Sequence, residues 1–132
     1  SDSVHVNASE PVLVAVYAHG CGELPANPDY IGDPSMVLLP PTEWHLGNYT
    51  FSTGDSIFQY NYMNITVPTA AIGSLQLDGA AVDPVYFAPI DGSYSGAMIP
   101  VTPGSHRITG SHGFGLIIFG NAQRESYIIP GG

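Results

Sequence analysis

The last third of the chain alternates short apolar segments with turns rich in Gly, Pro and Asp, and no segment is long enough for a good helix. Residues 113–120 are wholly apolar, and Asp78-Gly79 is the dipeptide typical of a two-residue β-hairpin. Thr102, Pro103 and Gly104 predict a second hairpin between two short strands. This alternation is typical of antiparallel β structure, because a parallel sheet needs long crossovers for which the chain has no room.

The whole chain shows about ten such segments at roughly ten-residue spacing, which is the pattern of a β-sandwich or jelly roll. We therefore predict one all-β domain over residues 1–132, an antiparallel sandwich of two sheets with no substantial helix. Pro11–Tyr17 is almost continuously apolar and predicts a central strand buried on both faces. In Met63–Val67 the apolar residues alternate with Asn64 and Thr66, which are predicted to face away from the core. The expected strands are 4–6, 11–17, 36–39, 46–52, 59–67, 74–77, 81–82, 85–87, 95–101, 105–109, 115–119 and 126–129.

The composition limits the partners that this chain can bind. Charged residues make up 10% of the chain, the formal net charge is −9, Lys is absent, and Arg107 and Arg124 are the only strong bases. Nucleic acid and anionic lipid are therefore not expected partners, because their phosphates need basic groups. No apolar run reaches the length that a membrane span requires, so membrane insertion is not expected either. A surface of small polar residues is common in secreted β modules, although a halotolerant or acid-adapted protein would look similar; we predict an extracellular or cell-surface location.

Three tripeptides fit the N-glycosylation pattern, and a single cysteine is present. The possible acceptors are Asn7, Asn48 and Asn64. Cys21 has no second cysteine in the chain, so it forms no internal disulfide. It is a buried apolar residue, a free thiol, or half of a bridge to another chain or segment.

The strongest candidate for a binding site is Glu43-Trp44-His45, which follows Pro40-Pro41. An indole stacks on the apolar face of a sugar ring, while a carboxylate and an imidazole hydrogen-bond to hydroxyl groups. In the alternative interpretation Trp44 anchors the core and its neighbours are solvated.

Tyrosines extend the predicted ligand-binding site. Tyr30 lies in the longest loop, residues 20–34, and long ordered loops often carry function. Tyr60 and Tyr62 are two positions apart and share one strand face, where they provide rigid amphipathic contact area or one half-buried face of the sandwich. The predicted ligand-binding residues are Glu43, Trp44, His45, Tyr30, Tyr60 and Tyr62.

No catalytic, metal-binding or cofactor-binding residue is predicted. Asp29 and Asp33 lack the regular spacing of oxygen ligands in a calcium loop, and the five histidines lack the paired spacing of a zinc site. No serine occupies a Gly-x-Ser-x-Gly elbow. A hydrolase would require an acid–base pair converging in a cleft. The histidines also leave open a role in pH sensing.

Several segments, in order along nearly the whole chain, resemble the IgGFc-binding domain family, a module of secreted mucus proteins in animals that also occurs in bacterial surface proteins. The matching segments are 10–17, 32–41, 49–53, 61–65, 72–79, 93–101, 104–106 and 130–132. The family module is longer, and the chain resembles its C-terminal half, although residues 126–132 lack the usual Gly/Tyr-rich ending. The resemblance implies an extracellular binding or adhesive role and brings no catalytic residues. Immunoglobulin binding is not transferred to half a module.

Two functions follow from these observations. The first is a non-enzymatic extracellular adhesion module that recognises a cell-surface or mucus glycan or glycoprotein. The alternative is the structural head domain of a homo-oligomeric surface fibre, whose apolar residues cover the interfaces between subunits.

Overall fold

A computed structural model describes residues 4–21 and 29–131 of the 132-residue chain. Within these residues the protein consists of ten β-strands and three short 3-10 turns, which confirms the predicted all-β class. The strands are β1 (Ala15–Ala18), β2 (Ser35–Leu38), β3 (Leu46–Ser52), β4 (Tyr60–Pro68), β5 (Gln76–Leu77), β6 (Ala80–Ala81), β7 (Phe87–Pro89), β8 (Tyr94–Pro100), β9 (Ser105–Ala122) and β10 (Glu125–Pro130). The 3-10 turns are Thr42–Trp44, Thr69–Ser74 and Pro84–Tyr86.

Strand β9 organises the large sheet. Its N-terminal half pairs with β3 and β5, and its C-terminal half pairs with β4 and β10, in each case antiparallel. The strand order is β6-β5-β9-β4-β8-β7, with β3 and β10 also on β9. Gly110, Gly113 and Gly115 lie between the two halves, and β3 shifts its register opposite them, between Leu46 and Asn48. Glycines inside a strand commonly mark such a bend.

The hydrophobic core contains side chains from the strands on both halves of β9. It therefore lies between the two halves of the sheet. Met63, Ile65 and Val67 of β4 are fully buried, while Asn64 is exposed and Thr66 half-buried, as the alternation predicted. Each buried aliphatic side chain of this size contributes about 1.5–3 kcal/mol to folding. The largest fully buried side chains are Phe114, Met63, Ile65, Leu75, Ile108, Leu116, Ile118 and Val67.

One buried tyrosine ties β3 to the bend in β9. The hydroxyl group of Tyr49 donates to the backbone oxygen of Phe114 at 2.7 Å and accepts the backbone N–H of Leu46 at 2.8 Å. The Tyr49 and Phe114 rings meet edge to face, 5.1 Å apart. Leu46 and Phe114 pair with each other next to the register shift, so the Tyr49 hydroxyl adds two hydrogen bonds where the pairing is irregular.

The predicted hairpin at Asp78-Gly79 is confirmed. These residues connect β5 to β6 and have φ values of +52° and +83°. Two consecutive positive φ values define the tight turn whose twist matches that of the strands, and Asp-Gly adopts it readily.

The second predicted hairpin, at Thr102–Gly104, is wrong. Strand β8 pairs with β4 and β7, and it does not pair with β9. The connection instead crosses to the other half of the sheet, where Gly104 donates its N–H to the Thr53 hydroxyl at 2.8 Å. The expected strands 105–109 and 115–119 are one continuous strand, since the glycines between them bend β9 without ending it.

The prediction of a central strand at Pro11–Tyr17 is also wrong. Strand β1 covers Ala15–Ala18, pairs with β2, and is largely exposed, with Tyr17 exposed at 72%. An apolar run indicates a strand. It does not indicate which other elements cover that strand, because the pattern is local to the segment.

Two shorter predicted strands also differ from the structure. No strand forms at residues 4–6. At 85–87 a 3-10 turn comes first, because Pro84 opens it and the Asp83 carboxylate accepts the N–H of Val85 at 2.9 Å.

Candidate functional site

The sequence motif Glu43-Trp44-His45 lies on the 3-10 turn that follows Pro40-Pro41. The N–H of Trp44 donates to the oxygen of Pro41 at 3.0 Å, and the N–H of His45 donates to that of Thr42 at 3.2 Å. Trp44 is 72% exposed and Glu43 is also exposed. The alternative that Trp44 anchors the core is therefore wrong. We call Glu43, Trp44 and His45 the Trp44 platform.

His45 fixes the platform to the bend in β9. Its backbone oxygen lies so close to Gly113 that a Cβ there would be 2.6 Å away, and its imidazole Nε2 would be 2.7 Å from a Cβ on Gly115. The glycines in the bend thus leave room for His45. Burial lowers the pKa of His45 below its usual value, against the opposing effect of the Glu43 charge. This direction favours the neutral form of His45, which has one donor and one acceptor nitrogen.

Tyr60 and Tyr62 lie on the face of β4 that points away from the core, as predicted from their spacing. Tyr62 stacks on Phe119 of β9 with ring centroids 5.2 Å apart and planes inclined by 21°. Tyr60 is 46% exposed and pairs with Asn121. We call Tyr60, Tyr62 and Phe119 the tyrosine face.

The predicted site residue Tyr30 lies beside the turn between β9 and β10. Its backbone oxygen accepts the N–H of Arg124 at 2.8 Å, and the Arg124 guanidinium lies 5.1 Å from the centre of its ring. Such a cation over a tyrosine ring is an attractive contact. Tyr30 adopts a φ of +52°, which is uncommon for a residue with a bulky side chain.

The structure separates the predicted site residues into two surfaces. Tyr60 pairs with Asn121, whereas Thr66, six residues further along β4, pairs with Gly115, against which His45 lies. Six residues of strand correspond to roughly 20 Å. The Trp44 platform and the Tyr60 end of the tyrosine face therefore lie near opposite ends of one strand pair, with Tyr30 near the Tyr60 end.

Two residues of these surfaces were missed by the sequence reasoning. Phe119 was assigned to a wholly apolar strand, yet alternate residues of β9 point out of the core and Phe119 is one of them. In the sequence, Arg124 is notable only as one of two strong bases. The alternation rule could have identified Phe119, but no local signal places Arg124 on Tyr30.

The remaining candidates from the sequence differ in their exposure to solvent. Asp29 and Asp33 are exposed, and no group of three or more His, Cys, Asp or Glu within residues 4–21 and 29–131 could hold a metal ion. The three possible glycosylation acceptors, Asn7, Asn48 and Asn64, are all exposed. Cys21 is half-buried. Residues 22–28 of the loop 20–34 lie outside the described residues.

The fold is all-β, and it presents aromatic side chains on a turn and on one face of a sheet. The chain belongs to the IgGFc-binding family: a family model described as IgGFc binding protein matches residues 1–120. This match confirms the resemblance seen in the sequence. The domains of this family are binding domains and are typically extracellular. No curated protein and no solved structure matches the chain significantly. In the described part of the chain, no helix is long and apolar enough to span a membrane.

Proposed function

We propose that the protein is a non-enzymatic extracellular adhesion module that recognises a glycan or glycoprotein through the Trp44 platform. The observation that carries this proposal is the 72% exposure of Trp44 on a turn held by backbone hydrogen bonds and by His45. A large aromatic side chain left in water has no role in the core of the domain. Exposing the apolar surface of the indole to water costs free energy, and a ligand that covers the indole removes this cost.

The chemistry of the platform suits a neutral sugar. The indole of Trp44 offers a flat apolar surface, the Glu43 carboxylate accepts hydrogen bonds from hydroxyl groups, and neutral His45 both donates and accepts. A net charge of −9 disfavours strongly anionic glycans. The tyrosine face, roughly 20 Å away along the strands, is suited to a second contact with an extended glycan or with the polypeptide of a glycoprotein.

The test compares Trp44→Ala with Tyr17→Ala on a glycan array and in thermal unfolding. Both side chains are 72% exposed, so neither change is expected to alter stability by more than about 0.5 kcal/mol. Trp44→Ala should abolish glycan binding, and Tyr17→Ala should preserve it. Full retention of glycan binding by Trp44→Ala, or a blank array for the unmodified protein, would count against the proposal.

The alternative, a head domain of a homo-oligomeric fibre, is favoured by the outer face of the two-stranded sheet. Tyr17 pairs with Met36, and Ala15 pairs with Leu38. Tyr17 is 72% exposed, Met36 is 50% exposed and Leu38 is 43% exposed. Val37, on the opposite face, is buried. A two-stranded sheet is marginally stable alone, and an uncovered apolar face on it suits a subunit contact.

Light scattering on the intact protein separates the two functions. An assembly unit should form a stable oligomer, which Tyr17→Ala should weaken and Trp44→Ala should leave intact. A monomer at high protein concentration would exclude assembly through this face, and it would leave the glycan proposal to be decided by the array.

A further inference from the structure

His106 is a buried histidine with an oxygen acceptor on each ring nitrogen. Its Nδ1 lies 2.7 Å from Oδ2 of Asp78, and its Nε2 lies 2.8 Å from the backbone oxygen of Thr102. The side chain of His106 is 9% exposed, and its ring packs against Phe51 with centroids 5.4 Å apart. Neither the glycan proposal nor the assembly alternative uses this cluster.

This geometry requires the charged form of the ring. A neutral imidazole carries one N–H, whereas a carboxylate and a backbone carbonyl can only accept. In either neutral tautomer, one nitrogen lone pair would therefore face an oxygen at hydrogen-bond distance. The imidazolium ion, with two N–H groups, satisfies both contacts, and the contact with the carboxylate is then a charge-assisted hydrogen bond.

The contact with Asp78 fixes the β5–β6 hairpin to β9. Asp78 accepts from His106 with one carboxylate oxygen and from the N–H of Arg107 with the other, at 2.8 Å. Its own N–H donates to the oxygen of Arg107 at 2.8 Å. The turn of the hairpin thus depends on two adjacent residues at the start of β9, and one of them can lose a proton near neutral pH.

The hairpin also forms one side of a half-open apolar cavity of about 240 Å³. Leu77, Ala80 and Ala81 line this cavity from the hairpin side, and Met63 and Ile99 line it from β4 and β8. A change in the position of the hairpin therefore changes the shape of this cavity.

We propose that protonated His106 is a latch that holds the β5–β6 hairpin in place beside this cavity, and that the latch is released when the pH rises and His106 loses its proton. The device makes the domain tighter in mildly acidic surroundings and looser in alkaline ones. The latch lies in a different part of the molecule from the Trp44 platform. The proposal does not depend on glycan binding by that platform.

The groups around His106 favour its protonated form, as the latch requires. Burial by itself would lower the pKa of His106, but the hydrogen bonds to Asp78 and Thr102 and the charge of Asp78 outweigh it and raise the pKa above the usual value. The pKa of Asp78 is held below its usual range, first by the Arg107 N–H and then by His106. The other charged group in the cluster is Arg107, whose Nε donates to Asn48 of β3 at 3.0 Å.

Because the pKa of His106 is raised in the folded state, His106 stabilises the fold fully at pH values below its unfolded pKa of about 6.5. This stabilisation is lost as the pH rises through the pKa of the folded state. The lowered pKa of Asp78 has the opposite effect, since its contribution is present above the unfolded value of about 3.9 and is lost in stronger acid. The latch is therefore strongest in the window between these two unfolded values.

NMR of the intact protein tests the latch directly. At about pH 6, both ring nitrogens of His106 should be protonated, and the ring should titrate with a midpoint above the usual 6.5. Hydrogen exchange, corrected for its intrinsic pH dependence, should show that the Asp78 and Val82 amides lose protection through the same midpoint. Amides of the β4–β8 ladder should keep their protection.

Asp78→Asn is the decisive variant, because Asn-Gly retains the tight turn while the negative charge is removed. It should shift the His106 midpoint to lower pH and move the loss of hairpin protection with it. His106→Gln should remove the pH dependence of the hairpin altogether. A neutral, single-tautomer His106 in the unmodified protein at about pH 6, or hairpin protection that is unchanged up to about pH 8.5, would overturn the proposal.

Discussion

At the scale of single residues, buried polar side chains of this domain have specific partners that replace water. Asn61 donates from Nδ2 to the oxygen of Phe58 at 2.9 Å and accepts from the Tyr127 hydroxyl at 2.7 Å. Across the described residues, no buried side-chain nitrogen or oxygen lacks a hydrogen bond. Removing one such partner costs more than the net value of the bond, because the other group stays buried and unpaired.

Tyr49→Phe should lower the free energy of unfolding by about 1–3 kcal/mol, since it deprives both the Phe114 oxygen and the Leu46 N–H of a partner. Urea unfolding followed by circular dichroism measures this loss. Tyr60→Phe is the matched control: it removes a hydroxyl from a half-exposed ring and should cost less than about 0.5 kcal/mol. Equal losses in the two variants would mean that the Tyr49 hydrogen bonds do not stabilise the bend.

The sequence predicted residue environments well where they follow from alternation and poorly where they depend on a distant neighbour. The inward position of Met63 and Ile65 was evident from their spacing. The exposure of Trp44 was not, because a tryptophan after two prolines suits both a core anchor and a surface turn. The separation of Trp44 from Tyr60 depends on which strands pair, and no local pattern contains that information.

At the scale of elements, two apolar segments show that a local pattern does not determine which strands pair. Residues 11–17 and 115–119 are both almost wholly apolar, yet β1 is exposed and β9 is central. The Asp78-Gly79 hairpin was predictable because its turn chemistry is local. The supposed hairpin at Thr102–Gly104 failed because Pro-Gly indicates a turn without indicating which strand pairs with which.

The bend in β9 predicts a difference between two glycines. Gly113→Ala places a methyl group 2.6 Å from the backbone oxygen of His45, which cannot move away without displacing the turn. We expect a loss of about 1–3 kcal/mol in the free energy of unfolding, and weaker glycan binding because the Trp44 platform shifts.

Gly92→Ala is the control for that substitution, because no atom lies within 4 Å of the Cβ that it would add. It should leave the urea midpoint and glycan binding unchanged. If Gly113→Ala matched this control in both measurements, the close packing of His45 on the bend would be refuted.

At the scale of the whole molecule, β9 joins what would otherwise be two separate sheets. Its N-terminal half completes the sheet of β3, β5 and β6, and its C-terminal half completes that of β4, β8, β7 and β10. One hydrophobic cluster draws on both halves. Neither half can therefore lose its pairing without exposing the core of the other.

We predict a single cooperative unfolding transition for the large sheet. Far-ultraviolet circular dichroism, which reports strands, and near-ultraviolet circular dichroism, which reports tyrosine packing, should give coincident urea curves. Two separated transitions would show that the halves unfold independently in spite of sharing β9.

The position of β9 in the chain also has a consequence during synthesis. Strands β3, β4 and β5 leave the ribosome before the partner that all three require, and at about 5–20 residues per second the wait lasts several seconds. During that time their apolar faces have no cover within the nascent chain. The domain completes its folding only after residue 122 has emerged, so late truncation, slow translation near residues 105–122 or a missing holdase chaperone should affect its yield more than any change to its surface.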